Sequence, residues 1–300
     1  MEKIISRMLP ETFKDRIRSS RLFIQYKANQ LAETSKRVDI CAAQFAHFLN
    51  LSNVDSLAGK VCLEIGSGWV LSHAIVMYLL GAKKIIATDI NFIAHPDSLH
   101  KAVHKSITSL PRDILSSFES HSKIRERFDR LLSIKKFDFN ILEKLNIKYV
   151  SPIDLTKKRL NEQFDFICSF SVLEHIPVDQ VKILIENLAL DLKPTGKMFH
   201  GIHLEDHLDF NNYPFEFFSI PVEQYPGSLQ SLRGNRIRKS GWGELFSSIE
   251  NLDSEFVYSW SRDDKTIPEN IDESIYYRDE SDLRVSHLGI FSEKKSCNGK

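Results

Sequence analysis

Val61-Cys-Leu-Glu-Ile-Gly-Ser-Gly68, the helix-length run Trp69-Val-Leu-Ser-His-Ala-Ile-Val-Met-Tyr-Leu-Leu-Gly81 and then Lys84-Ile-Ile-Ala-Thr-Asp-Ile90 decide the fold. Each flanking apolar run is too short for a helix and rich enough in Val and Ile for a buried strand. The spacing predicts a strand over 60–65, a loop at Gly66-Ser-Gly68, an apolar helix over 70–80 and a second strand over 84–90. A right-handed crossover makes such strands parallel. Gly66 and Gly68 allow a tight turn and a close approach of backbone to a ligand, and the helix start behind them offers unpaired N–H groups. Asp89 closes the second strand, where a carboxylate can accept hydrogen bonds from ribose hydroxyls. A dinucleotide fingerprint needs a third glycine where Leu71 stands, and Glu64 would repel a pyrophosphate, whereas a positively charged sulfonium tolerates it.

Outward from this unit the same alternation continues. Upstream, residues 11–35 are strongly charged, and Val38, Cys41, Ala42, Phe45, Phe48 and Leu49 then recur at three- and four-residue intervals, the pattern of an amphipathic helix. Downstream, residues 97–146 show only helical spacing (Ile107, Leu110, Ile114 and Leu115, then Ile124, Phe128, Leu131 and Leu132), with Pro111 starting one helix; a helical insertion is expected. Strands follow at Ile147–Ser151, Phe164–Phe170 and Lys197–His203, with a helix over 178–192 closed by Lys193-Pro-Thr-Gly196. Ser254–Trp260 and Leu283–Glu293 read as a final antiparallel pair joined by a short, turn-rich connection. The expected fold is a doubly wound α/β sheet of seven strands, mostly parallel with an antiparallel end, carrying a helical N-terminal cap over 1–50 and a main domain over 51–295.

Composition narrows the function classes. With 40 Lys+Arg against 40 Asp+Glu in 300 residues, the chain lacks the basic footprint of a general nucleic-acid or anionic-membrane binder. Cys41, Cys62, Cys168 and Cys297 lie far apart, so neither a zinc framework nor a disulfide scaffold is indicated and a cytoplasmic setting is expected. The first twenty residues break every apolar stretch with a charge or a proline, unlike a signal peptide. Trp69–Ala82 is interrupted by Ser72 and His73 and is shorter than the roughly 18–20 residues of a membrane span.

Together with Asp89, Asp154 and Ser169-Phe-Ser-Val-Leu-Glu-His-Ile-Pro177, the segment Val61–Gly68 resembles the class I S-adenosylmethionine-dependent methyltransferases, whose fold is Rossmann-like. The resemblance implies S-adenosylmethionine as cofactor. It implies that Glu64, Gly66, Ser67 and Gly68 hold the methionine part, that Asp89 and the adjacent Ile90 meet the ribose, and that Asp154 accepts from the adenine amine. Ser169, Phe170 and Leu173 would flank the methionine moiety, with Glu174 and His175 beside the acceptor. Val70 stands where the family has a third glycine. Two other functions fit the loop alone: a NAD(P)-dependent oxidoreductase, and a non-catalytic module that binds S-adenosylmethionine.

A second cluster, His200-Gly-Ile-His203-Leu-Glu-Asp206-His207, closes the fifth strand. Methyl transfer from a sulfonium is an in-line displacement, so the protein must align an acceptor and take a proton if that acceptor is a hydroxyl. His203 is the expected base, Asp206 its orienting partner, and His175 an alternative; His207 is expected on the acceptor side. The i, i+4 pair His203/His207 with Asp206 could hold a metal, but no further ligand stands out and none is expected. Ser231–Lys239 is basic; such runs are usually solvated surface, and the sharper expectation is an anion clamp of Asn235, Arg236 and Arg238 with the aromatics of Pro214–Pro221 lining an acceptor pocket. The expected partner is a small-molecule or sugar-like acceptor within an acceptor-side segment over 203–240, with no nucleic acid or membrane and no stated oligomer.

Overall fold

The computed structural model describes residues 21–34, 36–106 and 110–295. Seven strands form one sheet in the order β3-β2-β1-β4-β5-β7-β6, with β1 at Val61–Ile65, β2 at Lys84–Thr88, β3 at Ile147–Val150, β4 at Phe164–Phe170, β5 at Leu192–His203, β6 at Leu252–Ser261 and β7 at Val285–Lys294. The expected fold class is therefore found: doubly wound and parallel except at the β5-β7-β6 end. Contacts divide the chain into two units, residues 1–50, 54–59 and 67–153, and residues 51–53, 60–66 and 154–300.

In the first unit β2 and β3 pair in parallel from Ile85↔Ile147 to Thr88↔Val150. Helix α1 (Arg21–Thr34) is followed by α2 (Arg37–Leu51), on which all six periodic positions Val38, Cys41, Ala42, Phe45, Phe48 and Leu49 are buried. Helix α3 (Ser72–Leu79) is buried on every side, as its apolar composition requires. The insertion contains only helices among the described residues: α4 (Pro96–Lys105), α5 (Leu110–Leu115), α6 (His121–Leu132) and α7 (Phe139–Lys144). Pro96 opens α4, and Asp138 caps α7 by accepting from the Ile141 N–H at 2.8 Å. Ile107 lies outside the described residues.

In the second unit β1–β4 and β4–β5 are parallel, with Ile65↔Ser169 and Ser169↔His200 in register; β5–β7 and β6–β7 are antiparallel, aligning His203 and Trp260 with His287. Helix α8 (Val178–Asp191) connects β4 to β5. Two sequence expectations change here. Lys193–Gly196 does not separate helix from strand: β5 begins at Leu192, paired with Phe164 ahead of a register shift. The β6–β7 connection is long and ends in a helix, α11 (Glu280–Arg284), so Leu283 and Arg284 are helical. Two further short helices, α9 (Gly227–Arg233) and α10 (Lys239–Ser247), precede β6. No helix among the described residues is long and apolar enough to cross a membrane.

Candidate functional site

The glycine loop leaves β1 through two residues in the left-handed region, Gly66 and Gly68, each with φ 65°. A Cβ on Gly66 would lie 2.4 Å from Val172 Cγ2, so only a bare backbone fits. Leu71, where a dinucleotide site has glycine, is also left-handed at φ 54°. Asp89 organises the loop: one carboxylate oxygen accepts from the Gly68 N–H and the other from the Asn91 N–H, both at 3.0 Å. The Ser67 N–H and hydroxyl both donate to the Thr88 carbonyl, at 2.9 and 3.1 Å. Ile90 is exposed beside them. Asp89 is thus the capping residue of the loop as well as the expected ribose partner.

Other expected cofactor residues are placed less simply. Glu64 is buried within β1. Asp154 closes its own turn, accepting from the Thr156 N–H and hydroxyl and pairing with Lys157 at 2.8 Å. Burial pulls its carboxyl upward, but the hydrogen bonds from Lys157 and Thr156 outweigh that and hold it below the usual carboxylate range. The Ser169 hydroxyl shares a hydrogen bond with His200 Nδ1 at 2.8 Å inside the core, so only its backbone can serve a ligand. Phe170 lies 6.0 Å from the Phe199 ring, and Leu173 is fully buried.

The end of β5 and the turn after β4 carry a polar cluster. His203 Nε2 donates to a Glu205 carboxylate oxygen at 2.5 Å, and the other Glu205 oxygen accepts from Arg262 at 3.0 Å. A carboxylate only accepts, so this contact fixes the His203 proton on Nε2 and leaves Nδ1 as the basic nitrogen. The His203 backbone N–H donates to Glu174 Oε1 at 3.2 Å, and His207 Nε2 lies 3.6 Å from the same oxygen. The imidazoles of His175 and His203 stand 4.4 and 4.7 Å from that of His207, and the rings of His203 and His287 are 5.9 Å apart. His287 shares a hydrogen bond with Tyr258 at 2.9 Å. Burial first, then neighbouring His203, pushes the His287 imidazole down to about 4; burial also lowers His175. Both rings are therefore neutral near pH 7.

Several expectations are overturned by these contacts. Asp206 does not orient His203: Arg233 holds both its oxygens, and the Leu208 N–H takes one of them again. The anion clamp gives way to backbone bracing. Arg238, fully buried, donates to the carbonyls of Leu204 (2.8 Å), Leu283 (3.1 Å) and Val285, and burial lowers its guanidinium to about 10. Arg236 donates to the carbonyls of Ile220 (2.6 Å) and Phe217 (3.2 Å) with its guanidinium 4.1 Å above the Tyr225 ring. Asn235 donates to the carbonyls of Leu173 (2.9 Å) and Ile176 (3.0 Å), while its own N–H reaches the Glu174 carbonyl at 2.7 Å. Carbonyls in loops and at element ends need donors, and these three side chains supply them. The aromatics of 214–221 likewise form their own core: Phe215, Phe217, Phe218 and Tyr225 pack with Ile275 and Leu283. The sequence reading missed Glu205, Tyr258, Arg262 and His287; the available signal was the antiparallel ending, which brings β7 beside the end of β5.

A family model described as a methyltransferase domain matches residues 37–255. The chain belongs to the methyltransferase family. The resemblance to its class I members holds, and S-adenosylmethionine is the methyl donor of that family. No curated protein matches the chain by sequence. Among solved structures the methyltransferase is similar to magnesium protoporphyrin IX methyltransferase (ChlM) from Synechocystis PCC 6803 with bound SAH, at 13% identity over 95% of this chain and 99% of that one, TM-score 0.47. It is similar also to the N-methyltransferase NodS from Bradyrhizobium japonicum WM9 in complex with S-adenosyl-L-homocysteine, at 13% identity over 88% and 90%, TM-score 0.43.

Proposed function

We propose that this methyltransferase acts on a hydroxyl of a small-molecule or sugar-like acceptor, with His203 as the general base. The observation that carries the reading is the relay Arg262–Glu205–His203, in which a buried carboxylate fixes the tautomer of an imidazole on the last residue of β5. Bound S-adenosylmethionine would supply an electrophilic methyl group, leaving as S-adenosylhomocysteine, and His203 Nδ1 would take the proton of the attacking hydroxyl. Gly66, Ser67 and Gly68 offer backbone to the methionine part and Asp89 a preset carboxylate to the ribose, supported by the left-handed glycines and the Gly68 N–H that Asp89 holds. Glu64 and Asp154 take the cofactor roles the family pattern gives them, and the backbones of Ser169 and Phe170 those of the β4 end. Residues 51–295 then form the transferase domain, 1–50 its cap, 97–146 its insertion and 203–240 its acceptor side.

The test is a panel of sugar and hydroxy-acid acceptors with turnover read as S-adenosylhomocysteine released. Replacing His203 by Ala is expected to lower kcat by about 10²–10⁴-fold, the range general-base removal brings, with cofactor affinity by calorimetry unchanged. An unaltered rate removes His203 as base.

A further inference from the structure

Glu174 and His207 pose a problem that the methyl-transfer reading leaves unsolved. Glu174 is 1% exposed, and its Oε2 has no hydrogen-bond partner; His207 Nε2 is buried and has none either. Buried polar atoms are nearly always satisfied, and two unsatisfied polar atoms of different chemistry in one place point to something that both would bind. His175 adds a third. Its Nδ1 donates to the Ser231 carbonyl at 2.9 Å, and since a carbonyl only accepts, the proton is on Nδ1 and Nε2 carries a free lone pair. This is the arrangement by which a backbone carbonyl orients a metal-binding histidine.

We propose that Glu174, His175 and His207 form a binding site for one divalent transition-metal ion, Zn2+ or a metal of similar preference. One ligand atom from each lies within 4.8 Å of the others. Ligands about 2.1 Å from a tetrahedral ion stand roughly 3.4 Å apart, so small side-chain rotations close the set. Two imidazoles and one carboxylate are a borderline-hard set, matching Zn2+ and its first-row neighbours better than Ca2+ or Mg2+, which prefer oxygen alone. The set is held from behind: Asn235 braces the carbonyls of Leu173, Glu174 and Ile176, and the His203 N–H holds Glu174 Oε1 and leaves Oε2 for the ion. His207, with its side chain 21% exposed, gives the ion a way in. Three protein ligands leave a coordination position for water or, if the methyl-transfer reading holds, for an acceptor oxygen; the binding itself does not rest on that reading.

The experiment titrates the full chain, stripped with a chelator, with Co2+ followed by visible absorption and then by Zn2+ in competition. The expected result is one Co2+ per chain, with ligand-field bands that Zn2+ removes, and a thermal midpoint raised by Zn2+. Glu174→Gln, His175→Gln and His207→Ala should each weaken binding by at least about 100-fold, beyond what loss of an outer partner brings, while His121→Ala on exposed α6 should leave it unchanged. His175→Gln keeps a polar, half-buried side chain at the turn and so serves as the variant least exposed to loss of folding. Failure of the wild-type chain to bind one ion, or equal affinity in all four variants, overturns the proposal.

Discussion

The glycine loop after β1 and the histidine cluster after β5 are built from opposite materials. In the loop, backbone does the work: two glycines in the left-handed region, a Ser67 N–H bonded to the Thr88 carbonyl, and one aspartate that fastens the turn through two amides. The cluster is built mostly from side chains of the β4 turn, the end of β5, the end of β6 and the start of β7. A loop of backbone depends on residues adjacent in sequence; a cluster of side chains depends on strand register. The first tolerates almost no substitution at its turn, and the second should degrade in steps.

The largest effect should therefore come from the loop. Gly66→Arg places a side chain where a Cβ already meets Val172 at 2.4 Å, on a backbone that disfavours any side chain, and cofactor binding by calorimetry should fall below detection. Gly59→Ala is the control, because Gly59 shares the positive φ, at 75°, but nothing lies within 4 Å of the added Cβ. It should cost about 1 kcal/mol of stability and no affinity. Equal loss of binding in both variants would assign the effect to backbone strain alone and break the contrast.

This difference also explains what the sequence disclosed. The strand-loop-helix-strand unit and the six buried positions of α2 were legible because periodicity and glycine are local signals. The start of β5 was not, since Lys193-Pro-Thr-Gly196 carries the residues that ordinarily end elements, and only pairing with β4 makes them strand. Arg236 and Arg238 misled for a related reason. Whether a guanidinium meets water, an anion or buried carbonyls depends on which loops pass it, and the carbonyls in question belong to residues 204, 217, 220, 283 and 285. His203 could be singled out from its strand end; its partner Glu205 stood two residues away, but the Arg262 that fixes Glu205 arrives through the β6–β7 pairing.

Within the cluster the next effect belongs to Arg238. Replacing it by Met should cost roughly 3 kcal/mol in urea unfolding, because three carbonyls lose a charged donor in a dry site, while KM for the acceptor stays within twofold. A raised KM with unchanged stability would restore the anion clamp. Glu205→Gln should be milder and kinetic. The amide has one acceptor where the carboxylate has two, so it keeps only one of the contacts to His203 and Arg262 and no longer stabilises the imidazolium; kcat should fall by about 10–100-fold with the fold intact. A loss equal to that of His203→Ala would mean that the pair acts as one unit.

The smallest effect compares two histidines three residues apart on β5, which the sequence His200-Gly-Ile-His203 presents as equals. His203 is paired to a carboxylate at the strand end, whereas His200 is fully buried beside Ser169, and burial drives its imidazole from the ordinary 6.5 to about 3. Below pH 6.5 the unfolded chain takes up a proton that folded His200 refuses, so its contribution to stability is complete above that pH and is lost as pH falls toward 3. Between pH 7 and pH 5 this amounts to about 2 kcal/mol at one proton per chain. His200→Gln cannot take up the proton, so urea unfolding of the variant should lose about 2 kcal/mol less over that interval than the wild type, with the other histidines contributing alike to both. Equal losses would mean that His200 protonates freely in the folded chain, and the dry wall behind Ser169 would then have to be open to water.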